Sequence, residues 1–186
     1  QNTGWACGGV PNGGILKTED GGTSWEMHQT GNYPYSICFL NSATGWVVGE
    51  FGTIVKSADG GINWENQSSG TNERLGSVYF TDINNGFAVG TNGIIVRTSN
   101  GGINWETKPS GTSNELTSVF FADQSNGWIV GNAGTIIKTV DGGNNWELQT
   151  SVTSYDVFSV HFVNSNQGWI SAEDALLKTT DNGMSW

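Results

Sequence analysis

The chain has 186 residues, of which 28 are Gly, 9 are Trp, 17 are acidic and 7 are basic, and its formal net charge is −10. This charge disfavours nucleic-acid binding, because neutralising phosphates requires clustered Lys and Arg. No apolar run approaches the ~18–20 residues of a membrane helix, and the aromatic content of 11% is too high for a disordered acidic chain. We therefore expect a folded, soluble globular chain.

Three sequence landmarks recur along the chain with nearly the same spacing. The first is Gly followed by an aromatic residue, which recurs every 41 residues at Trp5, Trp46, Phe87, Trp128 and Trp169. The second is a Ser-Val/Ile-x-Phe segment with the same period, which ends at Phe39, Phe80, Phe121 and Phe162. The third is a Gly-rich turn that ends at Trp25, Trp64, Trp105, Trp146 and Trp186. A fixed period of this length predicts a repeat architecture.

Each repeat contains four predicted strands. In one complete unit, alternating and β-branched runs separated by Asn- and Gly-rich turns predict strands at 75–81, 87–90, 94–98 and 104–108. Four strands in about 40 residues are typical of a β-propeller blade. We predict an all-β chain that forms a single β-propeller or a segment of one. Its five blade-equivalents, the first and last incomplete, are 1–31, 32–72, 73–113, 114–154 and 155–186.

The third landmark resembles the Asp box, also called the BNR repeat. The matching segments are 18–25, 57–64, 98–105, 139–146 and 179–186. With its tight period, the whole pattern resembles the photosystem II stability/assembly factor-like family of Asp-box propellers. That resemblance implies a propeller fold, and the photosynthetic members of the family are lumenal assembly factors that bind membrane-protein precursors.

We interpret the residues of the boxes as structural. Short Asp and Asn side chains accept hydrogen bonds from their own turn, Gly supplies positive φ, and Trp buries apolar area. The assigned residues are Asp20, Trp25, Asp59, Trp64, Asn100, Trp105, Asp141, Trp146, Asp181 and Trp186. The basic residue before each box faces the Glu after it, so we also predict cross-strand ion pairs such as Lys56–Glu65.

No catalytic or metal-binding constellation stands out. Sialidases, which also carry Asp boxes, need three arginines around the substrate carboxylate, and this chain has only Arg74 and Arg97. No His, Cys and carboxylate cluster has metal-ligand spacing. We therefore predict no catalytic residue, no metal and no cofactor. We expect Cys7 and Cys38 to be buried free thiols, with a disulfide between neighbouring blades as the alternative.

Function is expected where the sequence departs from the repeat, in loops at one end of the strands. The loop 9–12 is two residues longer than its equivalents. The candidate binding residues are Tyr33, Tyr35, Glu50, Phe51, Glu73, Arg74, Glu115, Tyr155 and Asp156.

The leading functional hypothesis is a non-enzymatic binding or scaffold module that engages a protein or glycan partner with this rim of loops. We expect it to be secreted, periplasmic or on the cell surface, without membrane insertion, and to close its ring with further repeats or another copy. Two alternatives remain open: part of a glycan-active Asp-box glycoside hydrolase, and a purely structural repeat array.

Overall fold

The computed structural model describes residues 2–8, 13–29 and 33–186, and the predicted longer loop at 9–12 lies outside these residues. The strands form five antiparallel sheets, which we number as blades 1 to 5 in chain order. Blades 1 and 5 have three strands and blades 2, 3 and 4 have four. The predicted all-β propeller architecture with two incomplete end blades is therefore confirmed.

The strands follow one another along each blade in sequence order. Blade 1 contains β1 (Gly4–Gly8), β2 (Gly14–Thr18) and β3 (Glu26–Gln29). Blade 2 contains β4 (Pro34–Phe39), β5 (Gly45–Gly49), β6 (Ile54–Ser57) and β7 (Glu65–Gln67). Blade 3 contains β8 (Leu75–Phe80), β9 (Gly86–Gly90), β10 (Ile95–Thr98) and β11 (Glu106–Lys108). Blade 4 contains β12 (Leu116–Phe121), β13 (Gly127–Gly131), β14 (Thr135–Thr139) and β15 (Glu147–Leu148). Blade 5 contains β16 (Val157–Phe162), β17 (Gly168–Ala172) and β18 (Leu176–Thr179).

Two short 3-10 turns, Glu50–Gly52 and Thr91–Gly93, join the second and third strands of blades 2 and 3. No helix in the described part of the chain is long and apolar enough to cross a membrane.

Stacked aromatic rings join neighbouring blades. Trp46 of blade 2 is fully buried and stacks on Phe80 of blade 3, with ring centroids 3.6 Å apart. Phe80 also meets the box residue Trp105 edge to face, at 5.9 Å. The corresponding trios at the other blade interfaces are Trp5–Phe39–Trp64, Phe87–Phe121–Trp146 and Trp128–Phe162–Trp186. The three landmarks of the sequence are thus the three parts of one repeated contact between blades.

The first strands of blades 2 to 5 lie side by side, each against the next. A serine hydroxyl on one first strand accepts a hydrogen bond from a backbone N–H of the following first strand. The pairs are Ser36 with Val78 at 3.2 Å, Ser77 with Val119 at 3.2 Å, and Ser118 with Val160 at 3.4 Å. These bonds align the first strands with one another, and several of the candidate binding residues lie at the starts of these strands.

The repeated basic residue of the third strand also reaches the next blade. Lys56 lies directly opposite Glu65 in the sheet, as predicted. Its ammonium group, however, lies 5.1 Å from the ring centroid of Trp46 and donates a 3.0 Å hydrogen bond to the carbonyl of Gly101. In the same way, Lys138 donates to the carbonyl of Asn182 at 2.7 Å.

The predicted cross-strand ion pairs are therefore mostly wrong, although the predicted register is right. Among the described residues, only Arg97 and Glu106 form such a pair, at 4.0 Å. A carbonyl held between two blades accepts a hydrogen bond without ordering a mobile partner, whereas an exposed Glu must be immobilised to make an ion pair worth ~0.2–1 kcal/mol.

Both cysteines are free thiols, as predicted. Both are only partly buried, and burial raises the pKa of Cys7 to about 11 and also raises that of Cys38. The two thiols are therefore protonated at neutral pH and are poor nucleophiles.

Candidate functional site

The two ends of the strands differ in their chemistry. At one end, each Asp box of blades 2 to 5 is anchored to the turn between the first two strands of its own blade; Gly60, for example, donates its backbone N–H to the carbonyl of Ala43 at 2.7 Å. The connections between blades and the loops between second and third strands lie at the opposite end. We call the nine predicted binding residues at this opposite end the variable rim, and they are Tyr33, Tyr35, Glu50, Phe51, Glu73, Arg74, Glu115, Tyr155 and Asp156.

Each Asp box directs the acceptor atoms of its Asp inward, to its own turn. In blade 2, Asp59 Oδ1 accepts from the Ser57 hydroxyl at 2.9 Å and from the Asn63 N–H at 2.9 Å, while Oδ2 accepts from the Asn63 side-chain amide at 2.7 Å. The bonds from the residue four positions later, chiefly its N–H and side chain, lower the pKa of Asp59 from 3.8 to about 2. The pKa values of Asp20, Asp141 and Asp181 are also lowered to about 2 for the same reason. Such geometry supports a structural role for the boxes.

The box of blade 3 has Asn100 in place of Asp. Its side-chain oxygen accepts from the Thr98 hydroxyl at 3.0 Å and from the Asn104 N–H at 3.0 Å. The other side-chain atom of Asn100 is an amide nitrogen, which cannot accept the hydrogen bond that Asn63 makes to Asp59. The blade 3 box therefore lacks one acceptor that the other boxes have.

Replacing Asn100 by Asp is expected to raise the midpoint of thermal unfolding by about 1–3 °C at pH 7, because it restores this acceptor. The folded-state pKa of the new carboxyl should be lowered, as in the other boxes, so the gain is present above the unfolded-state pKa. It should disappear as the pH falls from about 4 to about 2. Thermal melts between pH 2 and pH 7 measure both effects.

The Asp59→Asn variant is the matched control for this experiment. It should lose at pH 7 what Asn100→Asp gains, and should differ little from the parent chain at pH 2. A gain for Asn100→Asp that persists at pH 2 would contradict the proposed hydrogen bond to a carboxylate.

The backbone of the rim is the same in blades 2 to 5. At the start of each first strand, one carbonyl accepts a hydrogen bond from the N–H that follows the second strand of the same blade. These carbonyls belong to Tyr33, Arg74, Glu115 and Asp156, and their donors are Glu50, Thr91, Asn132 and Glu173, at 2.9–3.1 Å. The rim therefore places four chemically different side chains at one repeated backbone position.

Four of the nine predicted residues form a network across blades 2, 3 and 4. The hydroxyl of Tyr35 donates to Glu50 at 2.6 Å, which raises the pKa of Tyr35. The guanidinium of Arg74 lies over the Tyr35 ring, 5.0 Å from its centroid, and forms an ion pair with Glu115. The side chains of Arg74 and Glu115 are each less than one third exposed. This part of the rim is therefore ordered before any partner binds.

Two more predicted residues are held by neighbouring loops. Glu73 accepts a 2.6 Å hydrogen bond from the hydroxyl of Thr91, and this bond lowers the pKa of Glu73. Asp156 accepts a 2.9 Å hydrogen bond from the N–H of Ala133. Both acidic side chains are thus fixed at the rim while remaining partly exposed.

The last three predicted residues present aromatic rings to solvent. Tyr33 and Tyr155 are each 51% exposed and Phe51 is 75% exposed. Phe51 also has a left-handed backbone, with φ 53°, at a position where blades 3 and 4 have Asn92 and Ala133. For a bulky residue this conformation costs ~1–3 kcal/mol, and such strain is typical of functional positions.

A groove of about 430 Å³ lies beside Phe51 and is bordered by polar residues of the connection to blade 3, between Asn66 and Asn72. In addition, Phe158 on β16 is 53% exposed, at the position equivalent to Tyr35. It was not among the predicted site residues, although its alignment with Tyr35 at three times the 41-residue period could have identified it. No group of three or more metal-ligating side chains occurs among residues 2–8, 13–29 and 33–186.

Comparisons with known proteins agree with this architecture. The family model described as Photosynthesis system II assembly factor YCF48 matches residues 28–110 and 109–186. The fold is similar to that of YCF48 from Cyanidioschyzon merolae, with a TM-score of 0.76 and 17% identity over 96% of this chain. This chain spans 64% of the length of that protein. None of the curated proteins matches the sequence.

Two further structures share the fold. A structure of YCF48 bound to D1 peptide aligns with a TM-score of 0.52 and 20% identity, over 97% of this chain and 76% of that one. The GH74 enzyme of Niastella koreensis aligns with a TM-score of 0.79 and 16% identity, over 100% of this chain and 36% of that one. The match of the family model to most of the sequence, with the propeller architecture it accompanies, shows that the chain belongs to the YCF48 assembly factor family.

Proposed function

We propose that this chain is a non-enzymatic binding module that recognises a segment of a partner protein on its variable rim. Its main support is the contrast between the repeated backbone of the rim and its non-repeated side chains. Tyr33, Arg74, Glu115 and Asp156 occupy equivalent positions, with carbonyls bonded in the same way, yet carry four different chemistries. Loops with a purely structural role do not need four different side chains at one repeated position. Loops that recognise a partner from a rigid scaffold do.

The exposed aromatic rings add to this support. Tyr and other aromatic residues are enriched at protein interfaces because they provide a large contact area with few rotatable bonds. Tyr33, Phe51 and Tyr155 lie at the rim with about half or more of their surface exposed. Their hydrophobic area is available to a partner without any rearrangement of the fold.

A protein partner is favoured over a glycan because a member of the same family has been captured with a peptide, the D1 peptide named with YCF48. The likeness to the GH74 enzyme is confined to the fold, and a fold alone does not carry an activity.

We include in the proposal an extracytoplasmic location, because the sequence is rich in Asn, Ser, Thr and Gly and poor in Lys. It also includes closure of the ring by further repeats or by another copy.

The test is selection from a phage-displayed library of random linear peptides on the immobilised chain. The variant Tyr33→Ser/Phe51→Ser/Tyr155→Ser should bind the selected peptides at least tenfold more weakly than the parent chain, which corresponds to a loss of about 1.4 kcal/mol or more. Its thermal stability should be unchanged, because all three side chains are exposed and Ser, like Phe, has a Cβ at the left-handed position 51.

The matched control removes a similar exposed apolar area from the opposite end. Ile62, Ile103 and Val140 in the Asp boxes are 62%, 78% and 66% exposed, and their replacement by Ser should leave peptide binding intact. Equal losses in both variants would contradict recognition at the rim. Release of sugar from a panel of polysaccharides by the parent chain would contradict a non-enzymatic role.

A further inference from the structure

The variable rim already binds one cation, its own arginine. The guanidinium of Arg74 lies over the ring of Tyr35, and its charge is paired with Glu115. The hydroxyl of Tyr35 is in turn held by Glu50. An aromatic face combined with a carboxylate is a favourable environment for a guanidinium group, because it offers both cation–π attraction and a charge-assisted hydrogen bond. The rim therefore already contains one arginine side chain that is held by an aromatic ring and a carboxylate.

Beyond this pair, the charge of the rim is entirely negative. Glu50, Glu73 and Asp156 have no Lys or Arg among their ion-pair partners in the described residues. Glu50 and Asp156 instead accept from a tyrosine hydroxyl and a backbone N–H, and Glu73 accepts from Thr91. Their negative charges are fixed in place and remain uncompensated.

Exposed aromatic rings lie among these carboxylates. Tyr33 precedes β4 of blade 2, Phe51 follows Glu50 directly, and Tyr155 precedes Asp156 directly. The alkyl part of a Lys or Arg side chain packs on such rings, while its charged end reaches the neighbouring carboxylate. The remaining rim residues thus offer the same two chemical groups, exposed rings and carboxylates, that Tyr35 and Glu115 provide for Arg74.

We propose that the variable rim recognises a basic segment of a partner protein, in which Arg or Lys side chains pack on the rim aromatics and pair with Glu50, Glu73 and Asp156. This inference rests on the proposed function and specifies the partner's chemistry. Complementary charge also accelerates association, because the chain carries a net charge of −10 that attracts a basic partner from a distance.

The test uses three labelled Gly-Ser peptides of equal length that carry arginines, lysines or glutamates at the same positions. The arginine peptide should bind at least tenfold more tightly than the glutamate peptide, with the lysine peptide between them, and its affinity should fall as salt is added. Tighter binding of the glutamate peptide would overturn the inference, because it would mean that Arg74 is released to bind an acidic partner.

The variant Glu50→Gln/Glu73→Gln/Asp156→Asn removes the negative charges but keeps the oxygens that accept the hydrogen bonds of the rim. It should bind the arginine peptide at least tenfold more weakly than the parent chain. The control Glu26→Gln/Glu65→Gln/Glu147→Gln removes the same charge from exposed positions on outer strands and should bind like the parent chain. Equal weakening of arginine-peptide binding in both variants would show that the effect comes from net charge alone. That result would overturn recognition by the rim.

The failures of the two proposals are distinguishable. Library peptides that depend on Tyr33, Phe51 and Tyr155 but show no enrichment in Arg or Lys would refute the basic partner and leave the binding rim standing. Selected peptides that ignore both rim variants would refute the rim itself.

Discussion

Replacing Trp46 by Ala is expected to lower the free energy of unfolding by about 3–5 kcal/mol. Trp46 is fully buried, stacks on Phe80 and lies beneath the ammonium group of Lys56. Its removal leaves a cavity between blades 2 and 3 and also removes the ring over which Lys56 is positioned. Chemical denaturation of the parent chain and the variant measures the loss.

Trp169 provides the matched control, because it is the same repeat position in blade 5. It is only partly buried, and no aromatic ring stacks on it in the described part of the chain. The Trp169→Ala variant of this chain should therefore lose about 1 kcal/mol or less. Comparable losses at Trp46 and Trp169 would show that stacking between blades is not what stabilises the fold.

Replacing Gly90 by Ala is expected to cost at least about 2–3 kcal/mol and to disturb the rim at the same time. Gly90 ends β9, and an added Cβ there would overlap the carbonyl oxygen of Arg74. That carbonyl accepts the hydrogen bond from Thr91 that holds the start of β8. The backbone must shift to make room, so Arg74 should leave its position between Tyr35 and Glu115.

Gly8 occupies the equivalent position in blade 1, and an added Cβ there meets no atom of residues 2–8, 13–29 and 33–186 within 4 Å. The Gly8→Ala variant should therefore unfold like the parent chain. Thermal melts of both variants, together with binding of library-selected peptides, test the prediction. A Gly90→Ala variant with parental stability and parental binding would show that the close approach of these two backbones is not needed.

The fold could be predicted from the sequence because the residues with the strictest period are those that every blade interface requires. Trp46, Phe80 and Trp105 come from three separate landmarks and meet in one contact. The register of the third and fourth strands could also be predicted, since the Asp box that joins them places Lys56 opposite Glu65, nine residues later. What Lys56 binds could not be predicted, because its partner Gly101 belongs to the next blade.

The rim could be located but not assembled from the sequence. The loss of periodicity at Tyr33, Arg74, Glu115 and Asp156 indicated that their shared position is not constrained by packing. The sequence does not indicate that Arg74 reaches Glu115 in the next blade and Tyr35 in the preceding one, because those contacts depend on the angle and distance between blades. The strain at Phe51 could not be predicted from the sequence either, since the type of a single residue does not reveal its backbone conformation.

Among the described residues, the hydrogen bonds that oxygens of the Asp boxes accept from a neighbouring blade all point in one direction along the chain. The donors Trp5, Lys56, Arg97 and Lys138 each bind an oxygen in the box of the following blade. In these contacts, every internal blade therefore donates to the box of the following blade and accepts from the preceding blade. Duplication of a whole repeat in the gene would create a new junction from contacts already present, so a propeller of this kind can gain or lose blades during evolution without redesigning an interface.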